Sequence, residues 1–405
     1  MPTYLRGVDV VDVTAGAVLV DHDVVVEGES IESAWPAASA GRAPEGVARP
    51  FLCPGLIDTH AHFFLDCGGD PRASFVAADE QARWQTAAHN ARTALEAGIT
   101  TVRDCAAPTP AIFELRRQVD GGTIPGPHIQ TAGLALMRPE GHCHWLGGVE
   151  VATRDQVRTA AERQLRDGAD YIKLMASGGG LTPGTRPHEA DLPGELIAEA
   201  VAVARDNDTY VTAHCHATES IERGLDAGLH MIEHASFVEA PGRYVYREEL
   251  ARRIADSGTV VGPTVFCALQ TLHRLKSGGG GNSDDVAVRE RLRGRMTNVG
   301  HFHRLGVRLA GGTDCGITDT PFDSLIDELG TYVAAGMTAT EALRTVTVAA
   351  AEYLRLGRVG VVAAGARADL LLLSGNPLED IGHLRHPIAV IKAGQLVSGS
   401  LSARP

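Results

Sequence analysis

A chain of 405 residues can bury one large core and carry a smaller second unit. The net charge of −13, with no basic run, argues against nucleic acid or an anionic membrane as partner, and no window approaches the ~20 apolar residues of a membrane span. Seven scattered cysteines without a CxxC pair read as reduced thiols, small buried fillers of a cytoplasmic protein, and Met1–Val10 shows no secretory signal.

Residues 1–50 alternate short Val-rich runs (Val8–Val13, Ala17–Val20, Val24–Val26) with Gly and Asp turns, which predicts a small antiparallel β unit. From there the pattern turns to helix and strand in alternation. Helices are expected over Trp84–Leu95, Asp155–Asp167, Glu195–Arg205, Glu219–Ala227, Arg247–Ala255 and Asp285–Arg304. Strands are expected over Thr100–Asp104, Pro127–Gly133, Tyr171–Met175, Tyr210–Ala213, His230–Glu233, Thr259–Val261 and Val307–Gly312. Repeated βα units of this length imply a parallel sheet, and about eight of them in roughly 300 residues favour a closed (β/α)8 TIM barrel over an open sheet. Ser277–Asp285 is a Gly-rich loop. The tail returns to β character over Ala368–Gly375 and Ile388–Val397. The expected fold is therefore α/β: a barrel over 53–355, with residues 1–52 and 356–405 combining into one small β-sandwich.

The chemistry starts at His60-Ala-His62. Residues two apart on an extended strand point the same way, so the two imidazoles form half a metal site, although two ordinary surface histidines would read the same. Later strand ends decide between these readings, because the C-terminal ends of strands form the face on which barrel enzymes hold their chemistry. Lys173 lies inside the apolar run Tyr171–Met175, where an unpaired ammonium is costly unless its head reaches solvent. His214 follows Tyr210–Ala213, His234 follows Met231–Glu233, and Asp314 follows an apolar run through Gly311-Gly312. A lone histidine at any of these places is more often structural. One titratable residue per strand end points instead to a metal centre.

These motifs, Pro54–His62, Tyr171–Gly180, Val211–His216, Ile232–Ala235 and Gly311–Asp314, resemble those of the amidohydrolase superfamily, and the resemblance spans nearly the whole chain. It is closest to the imidazolonepropionase-like and Xaa-Pro dipeptidase-like branch. The resemblance implies two divalent metal ions, zinc by default. His60 and His62 would hold the first with Asp314, His214 and His234 the second, and a CO2-derived carbamate on Lys173 would bridge them. It also implies a metal-bridging hydroxide, Asp314 as the catalytic proton shuttle, and a homo-oligomer. The expected activity is hydrolysis of an amide, peptide or carbamate C–N bond in a small molecule, such as a dipeptide or N-acyl amino acid.

Around this centre, His142 and His144 both stand as candidates to hydrogen-bond the substrate carbonyl, with His142 favoured as catalytic by the resemblance. Trp145 fits a loop cover better than a pocket wall. Arg186, in the Gly-rich stretch Ser177–His188, is a candidate partner for a substrate carboxylate, against a solvated loop arginine. His216 shares a strand face with His214 and is assigned to substrate binding. Glu219 fits the first turn of a helix better than a deaminase-like proton relay. Two other functions compete: a mononuclear deaminase or cyclic-imide hydrolase that leaves Lys173 uncarboxylated, and a catalytically silent assembly protein.

Overall fold

The computed structural model describes residues 2–36, 49–276 and 285–401. The Gly-rich loop expected at Ser277–Asp285 lies outside the described residues, apart from Asp285 at the head of a helix. Four strands come first: β1 (Thr3–Asp12), β2 (Ala17–Glu27), β3 (Ser30–Pro36) and β4 (Phe51–Pro54). The β1–β2 turn is built by Asp12, whose carboxylate accepts from the N–H groups of Thr14 and Ala15, and by Gly16 at φ 70°.

The middle of the chain supplies β5 (Leu56–Ala61), β6 (Ile99–Asp104), β7 (His128–Thr131), β8 (Leu136–Met137), β9 (Val149–Glu150), β10 (Ile172–Met175), β11 (Val211–Ala217), β12 (Met231–Glu239), β13 (Arg243–Tyr244) and β14 (Val260–Gly262). Helices connect most of them in the expected places, each with readable start and stop signals. The helix Arg154–Asp167 opens on a Thr153/Gln156 capping box and stops at Gly168 with φ 115°. β5–β6–β7 pair in parallel, as do β8–β10–β11–β12–β14. Asp170 N–H donates to the Thr131 carbonyl between the two groups.

The strand expected at Val307–Gly312 is a difference. This segment makes one bridge, Val261↔Leu309, and then runs beside β5 through Thr59 N–H to Gly311 O, Asp314 N–H to His60 O and His62 N–H to Cys315 O. Gly312 is required there, because a Cβ would stand 2.8 Å from the backbone nitrogen and Cβ of His60.

The last strands are β15 (Leu370–Leu373), β16 (Ala389–Lys392) and β17 (Gln395–Gly399). They join the first four in one seven-stranded sheet of order β17-β16-β15-β4-β1-β2-β3, so the two ends of the chain do combine. The single strand expected at Ile388–Val397 is instead a hairpin. Ala393 and Gly394 both take positive φ, 47° and 76°, the turn whose twist matches two antiparallel strands. This sheet has its own apolar core around Val10, Val24, Leu370 and Ile391, separate from the large core under the parallel strands. All seven cysteines are free and six are buried, as fillers should be. Among the described residues no helix is long and apolar enough to cross a membrane.

Candidate metal and catalytic site

The residues singled out at strand ends converge. His60 and His62, at the end of β5, present their Nε2 atoms to the same Asp314 oxygen at 3.4 and 3.2 Å. Each ring is fixed from behind through Nδ1: His60 by the Glu233 carboxylate at 2.9 Å, His62 by the Ala106 carbonyl at 3.3 Å. Nitrogen held from one side and free on the other is how a histidine ligand is oriented. Asp58 locks the frame, accepting from His60 N–H, Thr313 N–H and the Thr313 hydroxyl, and so ties β5 to the Asp314 segment.

A second group stands beside the first. His214, His216 and His234 place one ring nitrogen each within 4.8 Å of one another, and His60 and His234 have ring centroids 5.2 Å apart. His216 Nδ1 bonds the Ser236 hydroxyl at 2.9 Å and His234 Nδ1 the Thr264 hydroxyl at 2.6 Å. His234, Thr264 and Asp314 all sit in the left-handed backbone region, at φ 69°, 49° and 62°. Strain of this kind in non-glycine residues gathers where a side chain must be aimed.

Electrostatics divides the two groups. Burial and the Lys173 charge work against charge on His60, but the neighbouring Cys105 thiolate and the Asp314 and Glu233 carboxylates prevail and carry its imidazole up to about 10. Burial would raise Asp314; His60 and His62 hold its carboxyl well below the usual carboxylate range. The first group thus gathers carboxylate charge around the His60 and His62 rings. Burial, then mutual repulsion and the Lys173 charge, pushes His214 far down, and burial with neighbouring imidazoles does the same to His234, while burial and the Arg295 charge act on His216. These three are neutral imidazoles with lone pairs available, the form in which histidine binds metal.

Lys173 is 1 % exposed, and its Nζ has no hydrogen-bond partner. Its charge bears on both His60 and His214. Beneath them runs a fully buried network absent from the sequence reading. The Glu233 carboxylate accepts from Arg103, the Thr212 hydroxyl and His60, while Arg103 Nε donates to the Thr59 carbonyl at 2.6 Å. Its signal was legible: Arg103 and Glu233 are charges inside apolar strands, as Lys173 is.

A cavity of about 500 Å³ opens above the site. His142 lies in its wall, buried, with its ring 4.7 Å from that of His214 and Nδ1 without a partner. Gly179 makes room for it, since a Cβ there would meet the ring at 2.4 Å. Burial lowers His142 to about 4, so it is neutral at pH 7. The other loop candidates lie outside the cavity. His144 is exposed and bonded through Nδ1 to the Gly141 carbonyl. Arg186 is 68 % exposed and faces Glu189 in a surface ion pair, so it does not reach the cavity. His216, assigned to substrate from the sequence, stands within the second histidine group.

A model of the Amidohydrolase family matches residues 51–397. An ochratoxinase from Aspergillus niger is 28% identical over 388 residues, covering 86% of this chain and 76% of its own. An imidazolonepropionase from Micrococcus luteus is 26% identical, covering 88% of each. Among solved structures, a prolidase complexed with N-methylphosphonate-L-proline superposes with a TM-score of 0.86 at 26% identity, over 99% of this chain and 100% of its own.

Proposed function

The chain belongs to the amidohydrolase family, and from that premise we propose that it is a metal-dependent hydrolase of an amide, peptide or carbamate C–N bond. Its substrate is a dipeptide or an N-acyl amino acid. This reading takes the parallel strands, continued through 307–315 to β5, as a closed (β/α)8 barrel over 53–355, and the shared terminal sheet as the β-sandwich of 1–52 and 356–405.

Lys173 carries the reading. A lysine buried in an apolar strand with an orphaned Nζ is an expensive feature, and carboxylation removes the expense by turning the cation into a two-oxygen anion between the histidine groups. His60, His62 and Asp314 would hold one divalent cation and His214 and His234 the other, with carboxylated Lys173 shared. The donor set, imidazoles with a carboxylate, suits zinc, with the proton on His60 released as a metal binds, and manganese, cobalt or iron fit the same ligands. When bound, the pair supplies Lewis-acid polarisation of the scissile carbonyl and a hydroxide at neutral pH.

The chain's own groups do the rest. Asp314, kept ionised by His60 and His62, accepts the proton of the attacking water as its oxygen bonds to the carbonyl carbon. It returns that proton to the amine nitrogen as the C–N bond breaks, leaving a carboxylic acid and an amine. Neutral His142 donates a hydrogen bond to the developing oxyanion. Glu233 keeps the His60 ring aligned through Nδ1.

The test is release of amine from a library of dipeptides, N-acyl amino acids and arylureas. Turnover should vanish with a chelator and return with zinc or manganese. Turnover indifferent to the chelator, or hydrolysis of none of these compounds by metal-loaded protein, sinks the proposal.

A further inference from the structure

Three arginines border the cavity above the histidines: Arg274, Arg291 and Arg295. Arg274 is committed, its Nε donating to the Asp319 carboxylate at 2.6 Å. The other two lie one helical turn apart on Asp285–Leu305, on a single face of the helix. Arg295 is 5 % exposed; its Nη1 reaches only the Thr264 carbonyl at 2.8 Å and the Cys267 sulfur at 3.1 Å, and its Nε has no partner. The Nε of Arg291 is likewise buried and unpartnered. Among the described residues neither guanidinium has a carboxylate in salt-bridge range. Gly294, between them, brings the helix hard against β13, where a Cβ would stand 2.8 Å from the Tyr244 ring, and Tyr244 joins the same wall.

Two cations one turn apart, Arg295 buried and Arg291 half-buried, neither with a carboxylate partner, cost the fold unless an anion completes them. An arginine fork matches a carboxylate with two parallel hydrogen bonds. We propose that Arg291 and Arg295, with Tyr244 beside them, form the subsite for the carboxylate of the substrate's leaving amino acid, so that this enzyme removes a residue with a free C-terminal carboxylate and not one with a blocked end. The proposal rests on the C–N hydrolase reading and deepens it. It moves the carboxylate contact from Arg186, which faces solvent, to the helix Asp285–Leu305.

The experiment pairs each N-acetyl amino acid with its carboxamide and has two independent readouts. In binding, the acid raises the melting temperature of the metal-loaded protein and the carboxamide does not, and the acid's shift is lost in Arg291→Met and Arg295→Met. In turnover, the ratio of kcat/KM on acid to that on carboxamide falls by roughly 30-fold or more in either variant, the loss expected of a charged hydrogen bond. Arg295→Lys keeps the charge but not the fork, and recovers only part of it. Equal binding of the acid by wild type and both variants overturns the subsite, as does equal turnover of acid and carboxamide by the wild type. So does a shift given by inorganic phosphate alone, which would mark an oxyanion site of another kind. Binding that follows the prediction without any turnover keeps the subsite and sinks the hydrolase reading, so the two failures are told apart.

Discussion

Two sets of buried charges adjoin the histidine cluster, and they differ in whether a carboxylate compensates them. Below it, Arg103 and Glu233 are fully buried and neutralise each other, with Thr212, Thr59 and His60 bonded to the pair and one Arg103 nitrogen, Nη1, left without a partner. Above and within it, Lys173, Arg291 and Arg295 also keep a buried nitrogen without a partner, and among the described residues none of the three has a carboxylate in salt-bridge range. A cation neutralised by a buried carboxylate needs no anion from outside; the pair holds shape. Uncompensated buried cations are costs that folding alone does not recover, and in the proposed reading carboxylation of Lys173 and a substrate anion offset them.

This contrast is broken or sharpened by substitution. Asp314→Asn, at the boundary between the regions, should show the largest effect, a turnover loss of roughly 10³- to 10⁴-fold with much of the metal still bound. Normal turnover in that variant would overturn the proton-shuttle role. Below the cluster, Glu233→Ala strands Arg103 and should cost about 3–5 kcal/mol in urea unfolding. A cost under 1 kcal/mol would mean the floor is not a structural unit.

A third buried carboxylate provides a pH test away from the metal ligands. Glu328 caps the helix Phe266–Lys276, accepting from Val265 and Phe266 N–H, and burial raises its pKa to about 7. Because the folded state then binds the proton more tightly than the unfolded chain, the stability it contributes is present below about 4.5 and is lost as pH rises through about 7, on the order of 3 kcal/mol. Glu328→Gln should flatten the unfolding profile in that window; an unchanged slope contradicts the assignment. The smallest effect is expected above the cluster: Arg295→Met removes an unpaired cation and should leave the melting temperature level or slightly higher, whereas a loss of several degrees would show that Arg295 is already satisfied.

The sequence made one side of this contrast more legible than the other. His60, His62, Lys173, His214, His234 and Asp314 stand out in the sequence because each is a titratable residue in or just after an apolar strand, where few positions accept one, and the structure brings their segments together. Arg103 and Glu233 carry the same signal inside their strands, without a ligand motif to single them out. Arg291 and Arg295 carried none. The run Arg289–Arg295 reads as a solvated helix face, and only the approach of Gly294 to Tyr244 selects which arginines turn inward. Local rules fared similarly with the fold. They placed the helices within a few residues. They merged β16 and β17, where Ala393-Gly394 makes the turn, and made a strand of Val307–Gly312, which bridges its neighbour at a single point.

The central claim is that the orphaned Lys173 is completed as a bridging carbamate. Elemental analysis of protein prepared with bicarbonate and zinc tests it most directly. The account predicts about two metal ions per chain, falling to one or fewer in Lys173→Ala and partly restored there by a short carboxylic acid. A single ion per chain, bound equally well by the wild type and Lys173→Ala, would contradict it and favour a mononuclear site.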